Sequence, residues 1–421
     1  MKWVNTVFMS YSNFCIKQSR LFSVLIWMIL IVAHPFVFCY ALNFPGSLIL
    51  ILLSFLMLAI YVKLARTFVV QSFCVFWGMI VFFSFLNVYH SDLCSISNVV
   101  QVLIVFLICT VITNCIGKRA FCKQYVYLLT IIVFLGFIGW LSVLIFNYPP
   151  LFNYTAQDGR PVAAFFFTVC NTYIPPVPHP IIRYSGIFDE PGTLAFFSMI
   201  ALCINKLIVK NKTCEVVLLV LPIMTFSLAH ILTLLLFYLF FYITSIQRLV
   251  VFSSVVSGLI FLIISQKDIS PYDRIYELSL HRLEQDDERG FQGNNRSEST
   301  SNAYKLFIEN KLLGVGVQYE EEHHGISTNP FTILALYGIV GYLIVQIFFW
   351  RILIKSFVSK WKFLNWNCIK CLVILFVNFQ QRPFTTNVFT MFSVLLLLSV
   401  VETQLNMNYK RNVSLYDRNL L

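Results

Sequence analysis

The segment with the clearest chemical potential is a short stretch that ends in Pro191-Gly192. It reads Arg183-Tyr184-Ser185-Gly186-Ile187-Phe188-Asp189-Glu190. A guanidinium such as that of Arg183 can bind a phosphate through two parallel hydrogen bonds, or it can snorkel to the edge of a membrane. A carboxylate such as Asp189 or Glu190 can cap the start of a helix, or it can accept a proton as a general base. The sequence leaves both alternatives open at each of these positions.

A second polar segment, residues 266–326, holds 12 of the 19 acidic residues of the chain. It also holds Arg274, Arg282, Arg289 and Arg296. The last three are further candidates for an anion site, whereas Arg274 lies at the more distant start of the segment. Near its end the chain reads Glu320-Glu321-Glu322-His323-His324. Neighbouring residues rarely point at one ion, so we expect a solvated face here rather than a metal site. His324 remains a second candidate for the general base.

The composition places these residues in a membrane protein. Hydrophobic residues make up 58% of the 421 residues and charged residues only 12%, against about 45–50% apolar residues in a typical soluble domain. This excludes a soluble enzyme, a nucleic-acid-binding protein and a disordered chain. The twelve cysteines lie mostly in apolar runs, so no disulfide framework is expected, and Cys368 and Cys371 are interpreted as packing residues.

The apolar runs predict an all-α polytopic membrane protein with twelve transmembrane helices, forming a single transmembrane domain over residues 1–421. The predicted spans are 22–40, 46–62, 68–89, 98–116, 125–146, 192–209, 214–228, 231–246, 249–265, 328–350, 364–379 and 386–402. Two of these, 214–228 and 231–246, are short. They are too long together for one span, so we expect two short helices joined by a tight turn.

The distribution of cationic residues sets the orientation. With the N terminus in the cytoplasm, the inside segments carry 20 of the 30 Lys and Arg residues, and the four short outer loops carry only Arg382. Both termini are therefore predicted to be cytoplasmic. The third and fifth outer loops, residues 147–191 and 266–326, are long and extracytoplasmic.

The contents of the two long loops also give structural expectations. Pro-Pro pairs in 147–191 exclude a continuous helix, and the apolar stretch Val162–Val169 is expected to lie against either the membrane surface or the protein. In 266–326 we expect helices at about 272–285 and 301–311. The second helix should stop near Gly314-Val315-Gly316.

Three motifs, taken in order on this layout, resemble bacterial O-antigen polymerases and ligases. Arg183-x-x-Gly186-x-Phe188-x-Glu190-Pro191 is similar to the R-x-x-G-x-F-x-E-P segment of that family. Asn295-Arg296, followed by a helix and Leu312–Gly316, is similar to its second-loop pattern. Asn329–Leu336 and then Tyr337–Gly341 resemble the opening of its next span. The layout of spans and long loops also matches over most of the chain.

The sequence departs from the family pattern at two places, and the first distinguishes the polymerase branch from the ligase branch. The ligases carry a His-[Asn/Ser/Gln] pair ten residues before the Gly of their Gly-x-x-Gly turn, whereas this chain has Ser327-Thr328 there. This favours the polymerase branch. Family members often have Ser-Arg between the seventh and eighth spans, where this chain has Ser227-Leu228-Ala229-His230. His230 is either a replacement for that arginine or an ordinary interface histidine.

The resemblance implies a glycosyltransferase of the bacterial inner membrane, acting at the periplasmic face. Its substrates would be oligosaccharide repeat units on undecaprenyl pyrophosphate, and it would act within the lipid bilayer. A possible partner would be a chain-length regulator of surface-polysaccharide and lipopolysaccharide biosynthesis. No nucleic acid is expected as a partner. The implied pyrophosphate ligands are Arg183 and Arg296, then Arg282, Arg289 and His230, with Glu190 or His324 as the base. No D-x-D metal motif occurs in the sequence, so we expect neither metal nor cofactor.

Two rival functions remain open. One is an O-antigen ligase, and the other is a secondary transporter or lipid-glycan flippase, for which twelve spans are also suitable. Against transport, the loop at Lys206–Lys212 is very short, and the link Lys63–Arg66 lacks the G-x-x-x-D-x-x-G-[RK] signature of two-halved transporters. The sequence gives no indication of the sugar, the linkage and its stereochemistry, the oligomeric state, or the surface that meets a regulator.

Overall fold

A computed structural model gives the fold of the central and C-terminal parts of the chain. It describes residues 118–146, 148–155, 161–170, 183–188, 190–269, 272–286, 290–291, 297–316, 319, 329–358 and 366–381, together with isolated positions at 24, 27–28, 49, 52–53, 56, 89, 393–394, 396–398, 400–401 and 404. The predicted spans at 22–40, 46–62, 68–89, 98–116 and 386–402 therefore lie largely or wholly outside the described residues.

The described part is mostly helical. Its α-helices are α1 (Lys118–Phe146), α2 (Pro191–Ile204), α3 (Lys212–Val220), α4 (Leu228–Phe241), α5 (Ile246–Ser265), α6 (Tyr272–Leu278), α7 (Ser297–Glu309), α8 (Thr332–Val358) and α9 (Trp366–Gln381). A π-helical turn, Asn205–Val209, extends α2. Short 3₁₀ helices follow α3 at Leu221–Thr225 and α6 at His281–Leu283.

Three of these helices are long and apolar enough to cross a membrane: Phe121–Phe146, Pro191–Val209 and Ile246–Ser265. Their bounds agree closely with the predicted spans 125–146, 192–209 and 249–265. The Pro191–Val209 helix is almost entirely enclosed by protein, whereas Ile246–Ser265 has no buried residue. The described residues thus fit a helical membrane protein, with one central helix and one at the periphery.

The short helices between α2 and α5 are confirmed. The nine residues of α3 and the five of the following 3₁₀ helix together rise about 24 Å. The 14 residues of α4 rise about 21 Å. Both fall short of the roughly 30 Å hydrocarbon core of a bilayer. The tight turn between them, at Phe226–Ser227, is therefore expected to lie below the level that a full span would reach.

One end of the bundle collects cationic side chains. Lys206 of the π turn, Lys370 of α9 and Arg248 of α5 all approach the C-terminal end of α4. We call this the basic end, and the opposite end, which holds the Phe226–Ser227 turn, the far end. By the positive-inside rule the basic end is expected to be cytoplasmic.

The first long loop contains a small antiparallel sheet that the all-α prediction missed. Its strands β1 (Phe152–Thr155), β2 (Pro161–Phe165) and β3 (Thr168–Cys170) pair in sequence order. Val162 to Phe165 are all buried, so both faces of β2 are covered. A continuous apolar run of this kind lacks the alternation that marks a half-exposed strand.

Two glycines of α1 allow this sheet and the following loop to lie directly on the helix. A Cβ at Gly139 would meet the Phe166 carbonyl oxygen at 2.0 Å, and one at Gly136 would meet the Gly186 Cα at 2.7 Å. Either side chain would collide with backbone, which cannot move aside easily. The backbone of the first long loop is thus seated on the far half of α1.

The second long loop contains more helix than expected in one place and less in the other. The predicted helix 272–285 is helical only over Tyr272–Leu278 and His281–Leu283, and is followed by the two-residue strands β4 (Gln285–Asp286) and β5 (Gly290–Phe291). The helix predicted from 301 begins earlier, at Ser297. This start places Arg296 immediately before α7 in the sequence.

Helix α8 is broken near its start. Gly338 has φ 64° and ψ −169°, which is not helical, although helix continues on both sides. A break in an apolar helix leaves backbone groups without their usual i−4 partners, and such groups must find others when buried. Their partners lie in the second long loop and form part of the site described next.

Candidate functional site

Arg183 is held at the far end by backbone carbonyls of the α3–α4 connection. Its Nε donates to the Thr225 oxygen at 3.0 Å and its Nη2 donates to the Phe226 oxygen at 3.3 Å. The Tyr184 amide adds a bond to the Met224 oxygen at 3.3 Å. Carbonyls at the end of a helical turn carry partial negative charge, which stabilises a cation. Arg183 is therefore clamped in place and half-buried, which differs from a side chain that only snorkels.

The two contacts fix the plane of the guanidinium, as phosphate recognition through a rigid fork requires. The turn that holds Arg183 ends α3 and its 3₁₀ extension, which are shorter than a full span, so the turn is expected to be recessed. The structure thus places a fixed guanidinium at the far end of the helical bundle.

The residues after Arg183 form a tightly packed loop over α1. The Tyr184 hydroxyl donates to the Val133 carbonyl, and the Val169 amide donates to the Gly186 oxygen at 2.8 Å. Phe188 stacks on Phe197 of α2 with ring centroids 5.6 Å apart. Gly186 has φ +58°, a conformation that most side chains disfavour. The glycine and aromatic of the motif are therefore structural residues that support Arg183.

Glu190 precedes α2 as its N-cap residue, but its side chain makes no capping hydrogen bond. Its carbonyl accepts the first backbone bonds of the helix, from the amides of Thr193 and Leu194 at 3.1 and 3.3 Å. Pro191 occupies the first turn, where its missing N–H is not needed. The capping alternative is thus not realised at Glu190. Asp189 lies outside the described residues.

His230 lies in the first turn of α4, just after the turn that Arg183 holds. It is 2% exposed, and neither ring nitrogen makes a hydrogen bond to a described residue by normal geometry. The backbone of Ala195 in α2 lies beside the ring. A buried imidazole without a hydrogen-bond partner is uncommon, because desolvation of a polar group costs free energy. The structure brings His230 to the level of Arg183 but encloses its ring.

The remaining predicted site residues are not placed. Arg289, Arg296 and His324 lie outside the described residues, and for Arg282 only the backbone, within His281–Leu283, is described. Convergence of the second-loop arginines on Arg183 therefore remains a prediction.

The second long loop and α8 meet at Asn329, which is 1% exposed. Its side-chain oxygen accepts from the Phe331 amide at 2.8 Å, and its amide nitrogen donates to the backbone and hydroxyl oxygens of Ser299, both at 3.4 Å. The Asn329 backbone N–H donates to the Thr332 hydroxyl at 2.8 Å. Asn329 therefore caps α8 and ties its start to α7.

The two glycine-containing motifs of the second loop and of α8 pair with each other. The amides of Val315 and Gly316 donate to the oxygens of Ala335 and Leu336 at 2.9 Å each. In the other direction, the amides of Ile339 and Val340 donate to Lys311 and Leu312 at 2.8 and 3.2 Å. These four bonds replace the helical bonds lost at the break in α8.

We call this four-bond pairing the glycine joint. A Cβ at Gly338 would lie 2.2 Å from the Leu312 oxygen, and one at Gly314 would lie 2.4 Å from the Leu336 carbonyl carbon. Both glycines also have positive φ, +64° and +72°. Sequence analysis took Gly314 as a helix stop and Gly338 as part of a motif, and missed that they meet. Two glycines that each follow an apolar run, on either side of a polar segment, were the available signal.

The basic end has a different character, and sequence analysis did not identify it. Lys206 Nζ lies 2.6 Å from the Glu215 carboxylate, which also accepts from the Tyr242 hydroxyl. The Lys206 ammonium lies over the Tyr242 ring at 4.8 Å. Lys370 donates to the Phe240 oxygen at 2.6 Å. This cluster closes the C-terminal end of α4 with one ion pair and with cations on backbone carbonyls, which is typical of a structural site.

No group of three or more potential metal ligands occurs among the residues that the structure describes. Cys203, Cys368 and Cys371 are free and buried, in agreement with their interpretation as packing residues. Neither a protein-family model nor a curated protein matches the sequence. The functional argument therefore rests on the geometry of the far end.

Proposed function

We propose that the chain is a membrane glycosyltransferase that polymerises lipid-linked oligosaccharide units of a bacterial surface polysaccharide. In this proposal it has twelve spans and resides in the inner membrane, with the far end facing the periplasm. The donor is a growing glycan on undecaprenyl pyrophosphate, and the acceptor is the next repeat unit on a second such lipid.

The observation that carries this proposal is the fixed, half-buried guanidinium of Arg183 at the recessed turn. Ionisable residues at membrane depth are costly and usually mark a functional site. A guanidinium attracts an anion strongly where the local dielectric is low. In this proposal the lipid tail stays in the hydrocarbon, and the pyrophosphate enters the far end from the interface to reach Arg183.

The reaction that such a site supports is a glycosyl transfer. The acceptor hydroxyl attacks the anomeric carbon of the donor, the bond between that carbon and the pyrophosphate oxygen breaks, and the lipid pyrophosphate leaves. Arg183 would stabilise the charge that develops on the leaving group, together with Arg296 and, behind it, Arg282 and Arg289. The hydroxyl proton would go to Glu190, whose carboxylate is not used as a helix cap, or to His324.

The His230 contribution follows from its burial. An imidazole enclosed beside the Arg183 turn would act on a pyrophosphate only if the first turn of α4 shifted. In this proposal His230 therefore supports the turn that holds Arg183, and Arg183 is the first candidate for a direct pyrophosphate ligand.

A direct assay tests the proposal. Purified protein in lipid, given synthetic undecaprenyl-pyrophosphate-linked repeat units, should form polymer in the presence of excess chelator, since the residues invoked are arginines. Activity that disappears with chelator and returns with Mg²⁺ or Mn²⁺ would count against the arginine mechanism.

Deletion of the gene in its host separates the rival functions. Loss of a polymerase leaves surface core that bears a single repeat unit. Loss of a ligase leaves bare core with lipid-linked polymer accumulated, and loss of a flippase leaves no exported units. Gel display of the surface polysaccharide identifies the polymerase outcome, and an assay for accumulated lipid-linked polymer separates a ligase from a flippase.

A further inference from the structure

The turn between β2 and β3 presents two aromatic side chains to the outside of the protein. Phe166 and Phe167 are 59% and 51% exposed, although the four residues before them are buried. Phe167 has φ +56°, a conformation that a bulky side chain rarely adopts. The whole hairpin, Pro161–Cys170, contains no charged residue. An aqueous loop tip is normally polar, so this one calls for an apolar environment.

The depth of this turn in the membrane follows from the position along α1 at which it contacts the helix. The Phe166 carbonyl lies against Gly139, 16 residues after the exposed Lys123 near the basic end. At 1.5 Å per residue that is about 24 Å along the helix, within the roughly 30 Å of hydrocarbon. If Lys123 marks one membrane interface, the hairpin tip lies inside the opposite leaflet, below its interface.

The backbone of the hairpin is suited to that depth. The central strand β2 pairs on both sides, with β1 and with β3, and β3 pairs with β2 on one side. The Leu151 amide donates to the Ala164 oxygen and the Val169 amide to the Gly186 oxygen, both at 2.8 Å. Non-helical backbone is tolerated at membrane depth only where its polar groups are satisfied in this way.

The neighbouring surface of α1 is lipid-facing in character. Its exposed residues on the far half are all apolar: Ile131, Phe134, Ile138, Leu141, Leu144, Ile145 and Phe146. The turn lies at the same level along the helix, at Gly139, on a different face from most of these residues. The exposed aromatic rings are therefore at a level where the surface of α1 already fits hydrocarbon.

We propose that the β2–β3 turn is a re-entrant hairpin inserted into the outer leaflet, where Phe166 and Phe167 contact phospholipid acyl chains. The hairpin belongs to the long outer loop 147–191, and its contact with Gly139 is what places it in the bilayer rather than on the membrane surface. This inference concerns the outer leaflet in general and is independent of the proposed glycosyl transfer.

Photo-cross-linking tests it. The full-length protein, with p-benzoylphenylalanine in place of Phe166 or Phe167, is reconstituted into vesicles of palmitoyl-oleoyl phosphatidylcholine and phosphatidylglycerol at 3:1. Irradiation followed by mass spectrometry should give phospholipid adducts joined through the acyl chain. Leu283, which is 60% exposed in the second long loop, is the matched control, and its adduct yield should be at least fivefold lower.

The opposite outcomes are equally clear. Adducts at Phe166 and Phe167 no more frequent than at Leu283 would show that the turn is in water. Cross-links from these positions to another part of the chain would show that protein covers the turn. Either result overturns the proposal.

A second variant tests whether the contact between Gly139 and the Phe166 backbone holds the turn in place. Gly139→Leu places a side chain where even a Cβ would lie 2.0 Å from a backbone oxygen, so the turn should lift and the lipid adduct at Phe166 should fall to the Leu283 level. Gly258→Leu in α5, where a Cβ would meet nothing within 4 Å, should leave the adduct unchanged. An adduct that persists in Gly139→Leu, in protein that still accumulates, would show that this contact does not hold the turn.

Discussion

The two ends of the helical bundle hold their polar side chains in different surroundings. At the basic end, Lys206 has a carboxylate partner and an aromatic face, while Lys370 and Arg248 donate to backbone carbonyls. At the far end, Arg183 donates to two backbone carbonyls of a turn, and the ring of His230 has no ordinary hydrogen-bond partner among the described residues. The proposed function assigns anion binding to the far end and a structural role to the basic end.

The backbone follows the same division. The basic end has a standard cap, in which the Asn211 side chain accepts from the Thr213 and Cys214 amides. The far end has a recessed turn, a loop seated on glycines and a helix broken at Gly338. Irregular backbone in a membrane protein costs free energy unless it is buried in protein or lines a site. Variants at the two ends should therefore differ in which property they change.

The largest effect is expected at the glycine joint. Gly338→Ala puts a Cβ 2.2 Å from the Leu312 oxygen and also strains a backbone with φ +64°. Strain of this kind costs about 1–3 kcal/mol before the collision is counted. We expect strongly reduced membrane abundance and a clearly lower Tm in detergent. Gly258→Ala, in open space, is the control and should behave as wild type. Normal abundance and Tm for Gly338→Ala would mean that the joint is not formed.

The next effect is on activity at Arg183. Arg183→Lys retains the charge but loses the planar fork that reaches both Thr225 and Phe226. If the proposed transfer is correct, polymer formation should fall about 100-fold, equivalent to roughly 3 kcal/mol of transition-state stabilisation. Membrane abundance should stay near normal.

Arg248→Lys is the matched control for Arg183→Lys. Arg248 also donates to a carbonyl at a helix end, that of Tyr242 at 3.4 Å, but it is exposed and lies at the basic end. It should polymerise normally. Loss of polymer in Arg183→Lys only because the protein disappears would reduce Arg183 to a structural clamp.

A smaller effect is expected where the second long loop meets α8. Asn329→Ala removes the acceptor for the Phe331 amide and the contact with Ser299, so it should destabilise the protein by about 1–2 kcal/mol. It should also loosen α7, which can be measured as faster hydrogen exchange over Ser297–Glu309. Unchanged exchange in α7 would argue that Asn329 acts only as a cap.

The smallest effect on function is expected at the basic end. Glu215→Gln breaks the contact with Lys206, whose side chain is 25% exposed, and should cost about 1–2 kcal/mol because the pair is only partly buried. Its polymerising activity per folded molecule should match wild type. A loss of activity as large as that of Arg183→Lys would remove the functional distinction between the two ends.

Some of the fold was determined by the sequence alone. Apolar length predicted α1, α2 and α5 to within a few residues of their bounds, because crossing hydrocarbon demands a long uninterrupted apolar helix. The short pair α3 and α4 was predicted from the same arithmetic. Local periodicity and length carry this information, so no partner segment needs to be known.

Other features depended on contacts between distant parts of the chain. The β1–β2–β3 sheet was missed because a run that is buried on both faces shows no alternation in the sequence. Gly314 and Gly338 are 24 positions apart in the sequence. Only the folded chain shows that a Cβ at either glycine would collide with the backbone of the segment that contains the other.

At the candidate site the sequence determined which residues have suitable chemistry, and the tertiary structure decided what they touch. Arginine at 183 and a carboxylate at 190 are evident from residue type and order. Two facts follow only from the packing of α2 against the α3–α4 turn. The guanidinium is fixed by the carbonyls of Thr225 and Phe226, and the Glu190 side chain does not cap α2. Residue type sets the possible interactions of a side chain, whereas its actual hydrogen bonds depend on backbone groups that folding brings near, here from more than forty residues away.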